Sequence, residues 1–143
     1  MKLKEIMTRE VEILHTDDTV QTAAQKMRYR NVGFLPVIEG EELIGVITDR
    51  DLVIRVMADS LKSNMLVGRD LITAPGIYCF DDQDVSEAAQ LMQEHQIRRL
   101  VILDRNDGRV AGVLSLGDIA ANTSSDMSGT ILHEVSSGLV KTH

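Results

Sequence analysis

The sequence predicts an α/β protein of the α+β type, in which two βαββα repeats in tandem pack with pseudo-twofold symmetry into one globular module. Three observations lead there. Val20-Gln21-Thr22-Ala23-Ala24-Gln25-Lys26-Met27 lies over Val85-Ser86-Glu87-Ala88-Ala89-Gln90-Leu91-Met92 at a spacing of 65 residues, with five of the eight positions identical. Thr8 with Thr73 and Leu35 with Leu100 keep that spacing, and Gly45-Val46 with Gly112-Val113 and Asp51 with Asp118 follow at 67. The change falls at a polar turn, Glu39-Gly40-Glu41-Glu42 against Asp104-Arg105-Asn106-Asp107-Gly108-Arg109, where exposed chain tolerates insertion. A unit of about sixty residues buries too little surface to be comfortable alone, so two copies sharing a core is the expected solution.

Each copy reads through the same elements. A short extended piece comes first, Val11 to Leu14 and Ile77 to Phe80. A helix follows, because Val20, Ala23, Ala24 and Met27 recur at i, i+3, i+4 and i+7, as do Val85, Ala88, Ala89 and Met92. The paired alanines let this helix approach a sheet. Thr19 is the expected N-cap in the first copy, and Asp84 with Glu87 has capping-box spacing in the second. Two apolar runs joined by a Gly-containing turn then predict a hairpin: Phe34 to Ile38 with Leu43 to Ile47, and Leu100 to Leu103 with Val110 to Leu114. A second helix starts near Thr48 or Ser115. The first repeat spans 1–65, with a connector beginning at Ala58, and the second spans 66–121. Residues 122–143 begin with a small, polar stretch and are expected as a flexible tail, with a weak packing segment from Ile131 to Val140.

Composition narrows the function classes. The chain has 143 residues, 43% hydrophobic and 3% aromatic, so its core is aliphatic. A formal net charge of −7 without a basic block disfavours nucleic acid. No apolar run approaches the roughly 20 residues of a membrane span, no signal peptide is recognised at the start, and the single cysteine, Cys79, suits a reducing, cytoplasmic setting. His15, His95, His133 and His143 share no metal spacing, His133-Glu134 does not extend to H-E-x-x-H, and no nucleophile stands with its base. The reading is therefore no enzyme, no metal and no tightly held cofactor.

The order Ile6-Met7-Thr8, then Val-x-x-Ala-Ala-x-x-Met, then the run from Gly33 to Leu52, then a second copy ending in the run from Ile97 to Ala120, resembles a tandem pair of CBS domains, a Bateman module. It is closest to small stand-alone bacterial members, and the likeness covers about Leu3 to Ala121. The resemblance implies an adenosine-containing ligand, AMP, ADP or ATP foremost and S-adenosylmethionine or NAD next, held in clefts between the repeats. It also implies a disc-like homodimer.

Candidate site residues follow. Thr48-x-x-Asp51 and Ser115-x-x-Asp118 each follow Gly-apolar-apolar. Spacing alone favours helix capping; the resemblance makes them ribose-contacting positions, where a carboxylate accepts from both hydroxyls, and the two roles are compatible. Arg98 and Arg99 open an apolar strand in an otherwise acidic chain. They read as solvated cations or, by resemblance, as phosphate ligands, since a guanidinium binds phosphate oxygens bidentately. Gly33 and Phe34 occupy the matching positions in the first copy and are counted with the nucleoside pocket, Gly33 letting backbone approach a ligand. Arg50 reads as solvated or as an added phosphate contact, and its counterpart is Gly117. By resemblance Thr8 and Thr73 line the nucleoside pocket, and Ile13 and Tyr78 stand where the family packs against adenine, although Tyr78 equally reads as core. The expectation is a regulatory sensor with two unequal sites that passes ligand occupancy to an effector protein in trans. The alternative is a structural dimerisation module without a nucleotide.

Overall fold

A computed structural model describes residues 1–60, 64–73 and 76–141. Residues 61–63 of the expected connector lie outside the described residues, as do 74–75 and His143. The chain forms two compact units. One is Val11–Ile77; the other joins Met1–Glu10 to Tyr78–His143. They are called here the first-repeat and second-repeat units. The opening ten residues, read in sequence as the start of the first repeat, thus fold with the second.

Each unit is built on a three-stranded mixed sheet. In the first-repeat unit β1 (Leu14–His15) runs parallel to β2 (Phe34–Glu39), which pairs antiparallel with β3 (Glu42–Thr48). In the second-repeat unit β4 (Tyr78–Phe80), β5 (Arg99–Leu103) and β6 (Val110–Ser115) repeat that order and sense. The crossover helices are α1 (Val20–Arg30) and α3 (Val85–His95). Thr22 N–H donates to Thr19 Oγ1 at 3.1 Å, and Asp84 with Glu87 completes a capping box. Both helices end on a left-handed residue, Asn31 (φ 53°) and Gln96 (φ 52°). One difference in strand length has a local cause. Pro36 stands where the second copy has Val101 and has no N–H to give a parallel neighbour. Accordingly Tyr78 pairs with Val101, whereas β1 begins only after Ile13.

After β3 comes α2, one α turn (Asp49–Asp51) continued in π geometry (Leu52–Met57). After β6 comes α4 (Leu116–Asn122). Residues 125–141, expected as a flexible tail, instead form α5 (Ser125–Lys141), which packs on α3 and α4. Ile131 and Val135, one helical turn apart, are buried there, and this apolar pair supplies what the polar start of the segment lacks.

The first-repeat core gathers Leu14, Ala23, Leu35, Val37 and Ile47 with Val67 and Leu71. In the second-repeat unit Cys79, Ala88, Met92 and Leu100 to Ile102 are fully buried, as is Leu3 from the opening segment. Only the first alanine of each pair fulfils the expected close approach: Ala23 and Ala88 are buried, while Ala24 is exposed and Ala89 half-buried.

Two glycines admit the remote segments. Thr73 N–H donates to Val46 O at 2.8 Å and Val46 N–H returns a bond to Thr73 O at 3.0 Å. Thr8 and Val113 exchange the matching pair at 2.9 and 3.0 Å. A Cβ on Gly45 would collide with Thr73 O, and one on Gly112 would lie 2.6 Å from Thr8 O and 2.9 Å from Met7 Sδ. The expected outcome for Gly112→Ala is therefore a loss of about 1–3 kcal/mol from overpacking, measured by denaturant unfolding. Burial also pushes the Cys79 thiol up to about 11. Cys79 should resist a thiol reagent at pH 8 in the folded protein and react readily once urea unfolds it.

Candidate functional site

Sheet register decides which candidate residues can act together. Arg99 pairs with Ser115 and Val101 with Val113, while Val101 also pairs with Tyr78 and Val113 with Thr8. Paired residues share a face, as do residues two apart along a strand. Thr8, Tyr78, Arg99 and Ser115 therefore share one face of the second-repeat sheet. The first-repeat sheet repeats the layout. Phe34 pairs with Thr48, Pro36 with Val46 and Val46 with Thr73, so Phe34, Thr48 and Thr73 share a face. Ile13 lies immediately before β1, outside the paired register. Each unit thus assembles candidates from its own residues, but the threonines are exchanged: Thr8 joins Ser115, and Thr73 joins Thr48.

At the end of each hairpin the hydroxyl-plus-Asp element is a closed capping box. Asp51 N–H donates to Thr48 Oγ1 at 3.1 Å, and Thr48 N–H donates to Asp51 Oδ2 at 2.9 Å. Asp118 N–H donates to Ser115 Oγ at 3.0 Å, and Ser115 N–H donates to Asp118 Oδ2 at 2.9 Å. The two aspartates differ in their second oxygen. Asp51 Oδ1 is paired with Arg55 Nε at 3.5 Å, one turn along α2. The residue matching Arg55 is Asn122, whose Nδ2 donates to Asp118 backbone O at 2.7 Å instead. Asp118 Oδ1 therefore has no partner among the described residues and is free to accept from a ligand.

The Arg98-Arg99 pair separates. Arg98 lies immediately before β5, and its Nη2 donates to Ser136 Oγ on α5 at 2.9 Å. Arg99, one residue on, belongs to the face of Ser115. Both side chains are exposed. The first copy has Gly33 and Phe34 here, and the Asp49 carboxylate occupies the space above Gly33: a Cβ at Gly33 would meet Asp49 Oδ2 at 2.6 Å. The backbone frame is the same in both units, since Asp49 N–H donates to Gly33 O and Leu116 N–H to Arg98 O, both at 3.0 Å. Arg50 is exposed at the start of α2. Tyr78 is 44% exposed and so is not core; its ring meets Phe80 edge-on at 5.6 Å.

Sequence reasoning missed Arg55, Asp49 and Ser136. Arg55 was legible as an Asp51-x-x-x-Arg55 pair on a helix, and Asp49 as the replacement of Leu116. No local pattern marks Ser136. A groove of about 400 Å³ lies between α3 and α5, lined by Val85, Ala89, Met127 and Ile131 among others, and holds none of the candidate residues. Among the described residues no three His, Cys, Asp or Glu side chains are grouped to hold a metal, and no helix is long and apolar enough to cross a membrane.

Comparison with known proteins gives matches along most of the chain. The model of the CBS domain matches residues 3–58 and again 67–124. The CBS domain-containing protein YhcV of Bacillus subtilis (strain 168) is 35% identical over 135 residues, 94% of each chain. Hypoxic Response Protein I, whose crystal structure has two coordinated zinc ions, superposes with a TM-score of 0.77 at 30% identity, covering 87% of this chain and 100% of that one. CBSX2 in complex with AMP superposes with a TM-score of 0.69 at 25% identity, covering 84% and 93%.

The capping geometry has a measurable consequence independent of any ligand. Ser115→Ala removes the acceptor for Asp118 N–H, and the expected loss is about 1 kcal/mol, or roughly 3 °C in Tm by calorimetry.

Proposed function

The chain belongs to the CBS-domain family, and on that premise we propose that it is a non-enzymatic sensor that binds an adenine nucleotide and signals its occupancy to a partner. The observation that carries the reading is Asp118. Its Oδ2 closes the capping box while Oδ1 has no partner among the described residues on the half-buried carboxylate, which suits acceptance from ribose hydroxyls. Ser115, Thr8 and Tyr78 share the adjoining sheet face, where an exposed aromatic ring suits a base. Arg99 supplies a guanidinium on that face for phosphate. CBSX2 is a relative in complex with AMP, which makes AMP the first probe. Cytoplasmic residence and a homodimer fit this role, and the effector acts in trans. Ligand shifts the protein between states only as far as its affinity for them differs.

A second reading is a structural interaction module in which Asp51 and Asp118 serve as helix caps alone. The closed capping boxes on both favour it. Asp118→Asn separates the two, because Asn retains an acceptor oxygen for the cap but loses the anionic charge. In the sensor the folded variant loses nucleotide binding. In the interaction module nucleotide does nothing to either protein.

The direct experiment is calorimetric titration and thermal shift with AMP, ADP, ATP, NAD and S-adenosylmethionine. Saturable heat is expected with at least one adenine nucleotide. At a hundredfold excess over Kd the stabilisation expected is about 2.7 kcal/mol. No heat and no shift with any of the five overturns the sensor.

A further inference from the structure

Resting on that reading, we infer that each chain holds a single nucleotide site, in the second-repeat unit, and that the first-repeat counterpart excludes phosphate-bearing ligands. The duplication supplies the comparison, because the same backbone frame carries different side chains in the two units.

Three differences point the same way. Phe34 pairs with Thr48 in the register where Arg99 pairs with Ser115. The first-repeat sheet face therefore offers a ring where the other offers a guanidinium. Asp51 Oδ1 is held by Arg55, whereas Asp118 Oδ1 is free among the described residues. A ribose hydroxyl at Asp51 must displace an ion pair; at Asp118 Oδ1 it displaces no described residue. Asp49 places its carboxylate over Gly33, at the flank where the second repeat has the uncharged Leu116. A phosphate approaching there meets a like charge. Arg50 is present and exposed at the start of α2, outside the sheet face that carries Phe34 and Thr48.

The difference is thus electrostatic rather than architectural. Thr48 and Thr73 are kept, so among the described residues the first-repeat sheet face retains hydroxyls but carries the Phe34 ring where the second-repeat face carries the Arg99 guanidinium. Arg99 is the residue that confers phosphate recognition, and it acts by direct contact.

The test is isothermal titration of the full chain with AMP and with adenosine. One AMP per chain is expected. Arg99→Ala should weaken AMP by at least about tenfold, since a hydrogen bond to a charged group is lost, and leave adenosine within about twofold, within the scatter of surface changes. Asp118→Asn should abolish AMP binding, and Asp51→Asn should leave it within the same twofold. Circular dichroism checks that each variant is folded, and Arg99→Ala carries the test alone if Asp118→Asn does not fold. Two AMP of equal affinity per chain overturn the inference while leaving the sensor intact. So does an AMP loss caused by Asp51→Asn and not by Asp118→Asn, or an Arg99→Ala loss that is equal for AMP and adenosine. If the unaltered chain binds neither AMP nor adenosine but binds ADP, ATP, NAD or S-adenosylmethionine, the same variants are read with that compound; binding of none of them overturns the sensor itself and this inference with it.

Discussion

The close approach of a threonine backbone to a glycine, made once in each unit, is the constraint on which the arrangement rests. Gly112 lies under the carbonyl of Thr8 and Gly45 under that of Thr73, with no room for a Cβ at either. Each approach adds one more hydrogen-bonded backbone segment along the edge of β6 or β3, and so covers part of an edge that would otherwise present unpaired groups. The segment that does so comes from far away in the chain, from residues 1–10 for the second repeat. It also brings core residues with it: Leu3, Ile6 and Met7 are all buried. Without the glycines the threonines would not reach the sheet faces on which the candidate site lies.

The capping boxes explain how one motif can serve stability and recognition together. A helix start leaves backbone N–H groups unsatisfied, and Ser or Thr followed three residues on by Asp satisfies two of them reciprocally. That work uses only one carboxylate oxygen, Oδ2, in each copy. What happens to the other is settled one turn further along the helix. Arg55 takes it in the first repeat, and Asn122 turns to a backbone carbonyl in the second. A difference that contributes little to folding thus sets the two aspartates apart, beside Phe34 against Arg99 and Asp49 against Leu116, because a helical i,i+4 ion pair contributes only about 0.2–0.5 kcal/mol.

Strand alternation has a similar sorting effect on the arginines. Adjacent residues at a strand entrance are sent to opposite sides of the sheet. Arg99 stays with Ser115, and Arg98 is bound to Ser136 of α5. The last helix is thereby tied to the residue next to the candidate site as well as to α3 and α4. Among its described side chains Ile131 and Val135 are buried, and packing on α3 and α4 rather than intrinsic propensity holds it in place.

The sequence by itself determined the repeat, the helices α1 and α3 with their caps, both hairpins and the hydroxyl-plus-Asp elements. These are short-range features, written in period, turn residues and spacing, and the matched copies make each legible twice. Only the tertiary structure decided which threonine serves which repeat, because nothing local in residues 1–10 shows that they pair with Val113 rather than with Val46. It also decided that α5 is a helix, since a segment that opens with small polar residues and spaces its apolar ones, Ile131 and Val135 among them, becomes ordered against the surface it covers. The inequality of the copies was already written in Arg98-Arg99 against Gly33-Phe34, but the tertiary structure decided which atoms carry it. Arg99, Asp118 and Arg55 are ordinary charged residues in sequence, and register, pleat and the helical turn give each carboxylate oxygen and each guanidinium its partner or leave it free.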